Sequence, residues 1–284
     1  MKINNIKQWF LFDWVMILYK RIVKHDVFGL STQLAYFFLL SLFPLLITIF
    51  SLLPFLPITE DDMLYFVEDF VPGDSLQFIQ SNLTDILDNH NGKLLSFGII
   101  ATIWTASLGM NAIIRAVNRA YEVKENRRFF IVRGLSALLT IVMIGVFLLA
   151  LLLPVFGKQI GLYLFSKFGL TVDFLQVWNT LRWGLSSIII LLVFSALYLL
   201  TPNKKIRELT FFPGALFSTV GWMAVSSGFS YYVGNFGNYS MTYGSLGVII
   251  VLMIWFNLSG IIIILGGEIN AIWDSLKKQR KKQD

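Results

Sequence analysis

The residues of this 284-residue chain that could do chemistry are few, and they sit at the ends of long apolar stretches. Asn111, Arg115, Asn118 and Arg119 follow one such stretch. Arg115 is four residues from both Asn111 and Arg119, so these three share a helix face. Glu268 and Asn270 follow Gly266-Gly267 at the end of another stretch. A carboxylate at that depth in a bilayer is costly unless it is paired or reaches water. By depth its natural partner is Arg115 or Arg119. Two readings stay open: a charged gate or head-group site at one end of a pathway, and a structural ion pair that locks two helices. The uncharged run from Gly234 to Tyr243 offers amides, hydroxyls and aromatic rings. It suits a neutral polar or lipid-like ligand, and equally a tight turn with interfacial tyrosines.

No constellation for enzymatic chemistry accompanies these residues. There are no cysteines, which removes disulfides, thiolate metal sites and a cysteine nucleophile, and the two histidines, His25 and His90, lie in different polar segments. Glu60-Asp61-Asp62 reads as the solvated first turn of a helix rather than a metal cluster. No glycine-rich phosphate loop follows a strand. The expectation is a protein that is not an enzyme and carries no cofactor or metal.

The elements that position the polar residues are membrane-length helices. The chain is 56% hydrophobic and only 14% charged, where a soluble domain carries about a quarter charged residues. Apolar runs recur at about the 20-residue length that spans the hydrocarbon core. Six spans are predicted: Leu30–Phe55, with Pro44 as a helix kink, then Leu94–Ile114, Leu135–Val155, Trp183–Leu200 (the shortest), Phe211–Val233 and Gly244–Gly267. The fold class is therefore all-α: a polytopic membrane protein with six transmembrane helices, an N-terminal interfacial amphipathic helix and a helical outer loop. Residues 1–284 read as a single transmembrane domain. It comprises an amphipathic cytoplasmic arm (1–26), an acidic outer loop (56–93) and a basic cytoplasmic tail (274–284). The arm has helical spacing in Ile6, Trp9, Phe10, Asp13, Trp14, Ile17 and Arg21. The outer loop carries two short helices around Pro72-Gly73, the second with an apolar stripe from Leu76 to Leu87, and suits a lid or a structural cap.

Charge placement gives the topology. Of 23 Lys and Arg residues, 19 fall on one side of a six-span arrangement, leaving Lys93, Lys158, Lys167 and Arg182 on the other. Positively charged loops resist translocation, so both termini are expected in the cytoplasm of a bacterial inner membrane. Small residues punctuate three spans: Ala101, Ala106, Gly109 and Ala112; Gly214, Ala215, Ser218 and Gly221; Gly260 and Gly267. These predict close helix contact, and they also suit self-association. The expected partners are membrane lipids and a second copy of the chain, not nucleic acid.

Several motifs resemble the YihY/BrkB family of integral membrane proteins: Ala35-Tyr36-Phe37-Phe38-Leu39-Leu40-Ser41-Leu42-Phe43-Pro44, Trp104-Thr105-Ala106-Ser107, Asn118-Arg119-Ala120-Tyr121, Pro213-Gly214-Ala215, Tyr243-Gly244-Ser245-Leu246-Gly247 and Gly267-Glu268-Ile269-Asn270-Ala271. They lie in order along most of the chain. The resemblance implies a six-helix membrane fold and adds Tyr121, Tyr243 and Gly244 to the candidate transport or gating residues Asn111, Arg115, Asn118, Arg119, Glu268 and Asn270. Members have carried a ribonuclease label that no residue pattern here supports. Others are linked to virulence and envelope lipid traffic. The resemblance therefore implies an inner-membrane transporter or flippase for an amphipathic envelope lipid or lipid-linked precursor. The alternatives are a small-solute or ion transporter and a non-transporting scaffold.

Overall fold

The structure is a computed structural model that describes residues 3–55, 91–145, 172–204, 206, 209–236 and 245–280. Side chains of the first helix are described from Trp14 onward and those of the fifth from Gly184. The described residues are all helical or connecting chain: α1 (Ile3–Lys24), α2 (Val27–Leu52) with a 3-10 turn at Leu53–Phe55, α3 (Gly92–Ala120), α4 (Phe129–Gly145), α5 (Val172–Leu200), α6 (Phe212–Phe236) and α7 (Ser245–Arg280). Helices α2 to α7 fall on the six expected spans, of which the third is described only as far as Gly145, its remainder to Val155 lying outside the described residues. By length and composition α2, α3 and residues 249–279 of α7 can cross a bilayer, and α4 and the Gly184–Leu200 part of α5 are shorter apolar stretches.

The helices run past the expected boundaries, because a helix can continue through polar residues beyond its apolar stretch. Helix α5 starts at Val172 and has 29 residues, of which Gly184–Leu200 is the short apolar stretch. Hydropathy had cut it at Trp183, but Asp173, Gln176 and Asn179 continue the helix N-terminally. Helix α7 does not stop at Gly267 but carries the basic tail to Arg280 as one 36-residue helix. Helix α2 continues across Pro44. The Thr48 hydroxyl donates to the Pro44 carbonyl at 2.8 Å.

The chain divides into two compact units, residues 37–106 and residues 1–36 with 107–284. In the former, Gly98 lets α3 close on α2, where an added Cβ would stand 3.1 Å from the Thr48 nitrogen. The Thr48 and Thr102 hydroxyls meet at 3.0 Å. Thr102 also donates to the Gly98 carbonyl, so neither hydroxyl is left bare in an apolar setting.

In the other unit the small residues do what their spacing implied. Gly214 of α6 and Gly266 of α7 face each other backbone to backbone, and a Cβ on Gly266 would strike Ser218, Tyr198 and the Gly214 carbonyl. Gly221 lies against Ile262, Gly260 against the Ser31 backbone of α2, and Gly267 against Val117 and Ala120 of α3. These small faces are occupied by contacts within the chain. Tyr198 is fully buried among them, donating to the Ile263 carbonyl at 2.6 Å with Ser218 Oγ 2.7 Å away.

Polarity is inverted relative to a soluble protein. Large apolar side chains point outward on the long helices, among them Phe43, Ile100, Ile188, Leu192, Val220 and Ile254, while Ser31, Ser136, Ser218, Glu268 and Asn270 are buried. Exposed apolar surface on this scale needs lipid as its solvent. On α1, Val15, Tyr19 and Val23 form an outward apolar stripe at four-residue spacing, as expected of an interfacial helix. Its opposite side does more than lie on a surface, because it docks on α7.

Candidate functional site

The site begins at the corner between α1 and α2. The amide of His25 still bonds the Arg21 carbonyl at 2.8 Å, but Asp26 turns into the left-handed region with φ 53° and ends the helix. The same Asp26 caps α2: its Oδ1 accepts the Gly29 N–H at 3.2 Å and its carbonyl accepts the Leu30 N–H at 3.0 Å. One residue thus stops one helix and starts the next. His25 stays on the inner side of the corner, only 3% exposed. Arg21, four residues earlier, shares its face.

Both side chains aim at Glu268 of α7, which is fully buried. Arg21 Nε donates to Oε2 at 2.8 Å, and His25 Nδ1 lies 2.5 Å from Oε1. With a carboxylate as acceptor, His25 carries its proton on Nδ1. Arg21 Nη2 also donates to the carbonyl of Ala120, the last residue of α3. An ionised carboxylate is tolerated in such a place only when it is paired and hydrogen-bonded. Here both oxygens are used, and the clamp joins α1, α3 and α7. Among the described residues no group of three or more His, Asp or Glu side chains is arranged to hold a metal ion.

The other imidazole nitrogen lies on the side of Glu122. His25 Nε2 lies 3.6 Å from Glu122 Oε1, and Lys24 Nζ lies 2.5 Å from that oxygen. The Lys24 ammonium's hydrogen bond holds the exposed Glu122 carboxyl below the usual carboxylate range. Glu122 is placed there by a Schellman motif at the end of α3. The Val123 N–H reaches the Asn118 carbonyl at 2.9 Å and the Glu122 N–H reaches the Arg119 carbonyl at 3.0 Å. Glu122 has φ 53°, at a position where glycine is the usual occupant. A side chain in that region costs roughly 1–2 kcal/mol.

A second network ties the neighbouring connections. Buried Asn118 accepts the Asn203 N–H at 2.6 Å and donates to Glu125 at 2.8 Å. Arg127 donates to the Pro202 carbonyl at 2.8 Å and to Asn203 at 3.2 Å. Lys204 pairs with Asp274 of α7 at 2.5 Å and stands 5.1 Å from the centre of the Tyr121 ring. Partial burial draws the Lys204 ammonium below the usual lysine range, against the opposing pull of Asp274. Burial, with Asp274 nearby, pushes the Tyr121 phenol up. Asn270 accepts the Gly214 N–H at 2.7 Å at the start of α6. The N-terminal arm, the α3–α4 and α5–α6 connections and the C-terminal part of α7 therefore meet at one end of this unit.

The sequence-derived candidates divide accordingly. Glu268 and Asn270 are buried at helix contacts, and Asn118 and Tyr121 lie in the second network. The expected pairing of Glu268 with Arg115 or Arg119 is not what forms. Ala112, Ile113, Ala116, Val117 and Ala120 make the buried face of α3, so Arg115 and Arg119 are exposed and Asn111 is half-buried. Arg119 instead donates to the Lys24 carbonyl at 3.4 Å. Tyr243, Gly244, the acidic loop at 56–90, His90 and residues 281–284 lie outside the described residues. The residues that sequence reasoning missed are Arg21, His25 and Glu122. The four-residue spacing of Arg21 and His25, two donors on one helix face, was the signal available.

A chain of long helices with apolar exteriors and polar contacts inside is a helical integral membrane protein. It belongs to the family described as Virulence factor BrkB, which it matches over residues 18–284. It is 53% identical to the ribonuclease-like protein YfkH of Bacillus subtilis over 261 residues, covering 92% of this chain and 95% of that one. It is 31% identical to a UPF0761 membrane protein of Photobacterium profundum, covering 88% of this chain and 78% of that one. No solved structure matches it.

Proposed function

We propose that this protein is a non-enzymatic transporter or flippase of the bacterial cytoplasmic membrane, acting on an amphipathic lipid or lipid-linked precursor, with both termini in the cytoplasm. The observation that carries the reading is the fully buried Glu268 held by Arg21 and His25. Ionisable residues buried on a membrane-length helix are expensive, and by default they mark pathways or moving parts. This one joins the first helix to the last, as a latch between alternate states would. Exposed basic residues at the same end, including Lys20, Arg115 and Arg119, suit anionic head groups. The concentration of 19 basic residues on one side of a six-span arrangement supports the cytoplasmic placement of the termini.

A scaffold that transports nothing is the second reading. The satisfaction of both Glu268 oxygens favours it, because a lock needs no moving part. Native mass spectrometry of protein taken gently from its own membrane separates the two. A lipid or lipid-linked precursor retained at fixed stoichiometry, and lost in Arg21→Ala and Glu268→Gln, supports transport. Bulk phospholipid unchanged by those variants supports the scaffold. Orientation is checked separately by adding single cysteines, since the chain has none. A cysteine at Lys278 that reacts with a membrane-impermeant maleimide on intact cells overturns the cytoplasmic tail.

A further inference from the structure

The transport reading leaves unexplained why an imidazole, rather than a second arginine, completes the clamp on Glu268. It also leaves unexplained why a glutamate occupies the left-handed position after α3. The two questions share a geometry. His25 Nδ1 is 2.5 Å from a carboxylate that is fully buried, while its Nε2 is 3.6 Å from one that is about half exposed. We infer that Glu122, His25 and Glu268 form a proton port, in which the imidazole carries protons from solvent at Glu122 to the buried Glu268 carboxylate.

A proton collected at the Glu122 carboxylate is taken by the lone pair of His25 Nε2, forming one N–H bond. The Nδ1–H bond breaks and its proton passes to Glu268 Oε1, forming an O–H bond and neutralising the carboxylate. The imidazole is left as the Nε2–H tautomer, and it resets by the reverse handover: Nδ1 takes the proton back from Glu268 Oε1 and Nε2 releases its own toward Glu122. The gap to Glu122 exceeds a direct hydrogen bond. A small rotation of an exposed side chain, or one bridging water, closes it.

The charged groups around His25 fit this step. Arg21 and Lys24 come from α1, Arg119 and Glu122 from the end of α3, and Glu268 from α7. Lys24 lowers the proton affinity of Glu122, so a proton that reaches this carboxylate is readily given up to the imidazole. Arg21 opposes neutralisation of Glu268, but it also donates to the Ala120 carbonyl. That second acceptor keeps it from being orphaned when Glu268 loses its charge. The bond that weakens is the tie between α1 and α7. Proton arrival therefore loosens the latch. The strained Glu122 fits a functional position, since a glycine would fold more cheaply there.

This inference rests on the transport reading for its purpose, though not for its chemistry. The test is infrared difference spectroscopy of the full chain in lipid nanodiscs after a downward pH jump. The expected result is a protonated carboxylic acid band that is absent in Glu268→Gln. Its rise should be slowed by about a hundredfold or more in His25→Gln, with its final amplitude kept, and slowed to a lesser degree in Glu122→Gln. Glu122→Gln alters only an exposed side chain, so it keeps the test alive if His25→Gln folds poorly. No band in the unaltered protein, a band that survives Glu268→Gln, or unaltered kinetics in the folded His25 or Glu122 variant each overturns the port. Lipid transfer is measured on the same preparations in vesicles. A working port without transfer sinks the transport reading alone, and transfer without the band sinks the port alone.

Discussion

Glu268 and Asp274 stand six residues apart on the same helix, each held by two nitrogen-bearing side chains, yet they are held in different ways. Glu268 is fully buried and tied to Arg21 and His25, more than 240 positions away in the chain. Asp274 keeps 11% of its side chain exposed and is held by Lys204 of the α5–α6 connection and by Lys278, one turn along its own helix. Six residues is about 600° of helical rotation, so the two carboxylates face different neighbours. Glu268 faces the α1–α2 corner and Asp274 the second network. A carboxylate that shares its cation with the next turn and with water is replaceable. One whose partners arrive from the far end of the chain, with no water to fall back on, fixes the tertiary arrangement.

Substitutions test that contrast directly. Glu268→Ala strands Arg21 and His25 in a buried setting and is expected to cost roughly 3–5 kcal/mol, read as a large fall in the melting temperature of the purified protein. Asp274→Ala leaves partly exposed lysines and should cost about 1 kcal/mol or less. Equal losses would break the comparison. His25→Ala removes one charge-assisted bond while Arg21 remains, so the expected cost is intermediate, about 1.5–3 kcal/mol. A loss as large as that of Glu268→Ala would make the imidazole the principal partner.

Glu122→Gly should have the opposite sign. It relieves the left-handed strain and gives up a surface ion pair of small value, for a net gain of about 1 kcal/mol in the same melting assay. A destabilised Glu122→Gly protein would mean that the Lys24 and His25 contacts outweigh the strain.

The smallest effect is in pH dependence. The Glu122 carboxyl lies lower in the folded protein than in the unfolded chain. Its contribution is therefore present above the unfolded value and is lost only as the pH falls through the depressed folded value. The melting difference between the native protein and Lys24→Ala should persist through neutral and mildly acidic pH and fade below the usual carboxylate range. Fading near neutral pH would assign the effect to another group.

Much of this was legible in the sequence, because bilayer thickness and helix period constrain it strongly. The α2 to α7 helices appear as apolar runs, and Gly214, Gly221, Gly260 and Gly267 mark helix contacts by size alone. Helix ends were less legible: hydropathy stops at the hydrocarbon boundary, whereas the hydrogen-bond ladder of α7 continues through Asp274 to Arg280. The partner of Glu268 was not legible, because several basic segments were expected at the same depth and spacing does not say which one reaches α7. Depth favoured Arg115 and Arg119. The apolar stripe through Ala112, Ala116 and Ala120 placed them on the outside, and that periodicity outweighs depth. Asp26 shows the same limit. Its side chain reads as one more polar residue in a basic arm, and only the backbone reveals that it both ends α1 and caps α2.

The length of α7 has a further consequence. Counting 23 residues from Ser245 to Glu268, the axial distance is about 35 Å, slightly more than the ~30 Å of bilayer hydrocarbon. The Arg21–Glu268 tie therefore stands at the margin of the acyl chains, where a change of a few ångströms in membrane thickness alters what surrounds it. Longer acyl chains draw the tie into oil or force the helix upright, and shorter ones bring it toward water. The lipid around this protein thus helps set the strength of its most deeply buried charge pair.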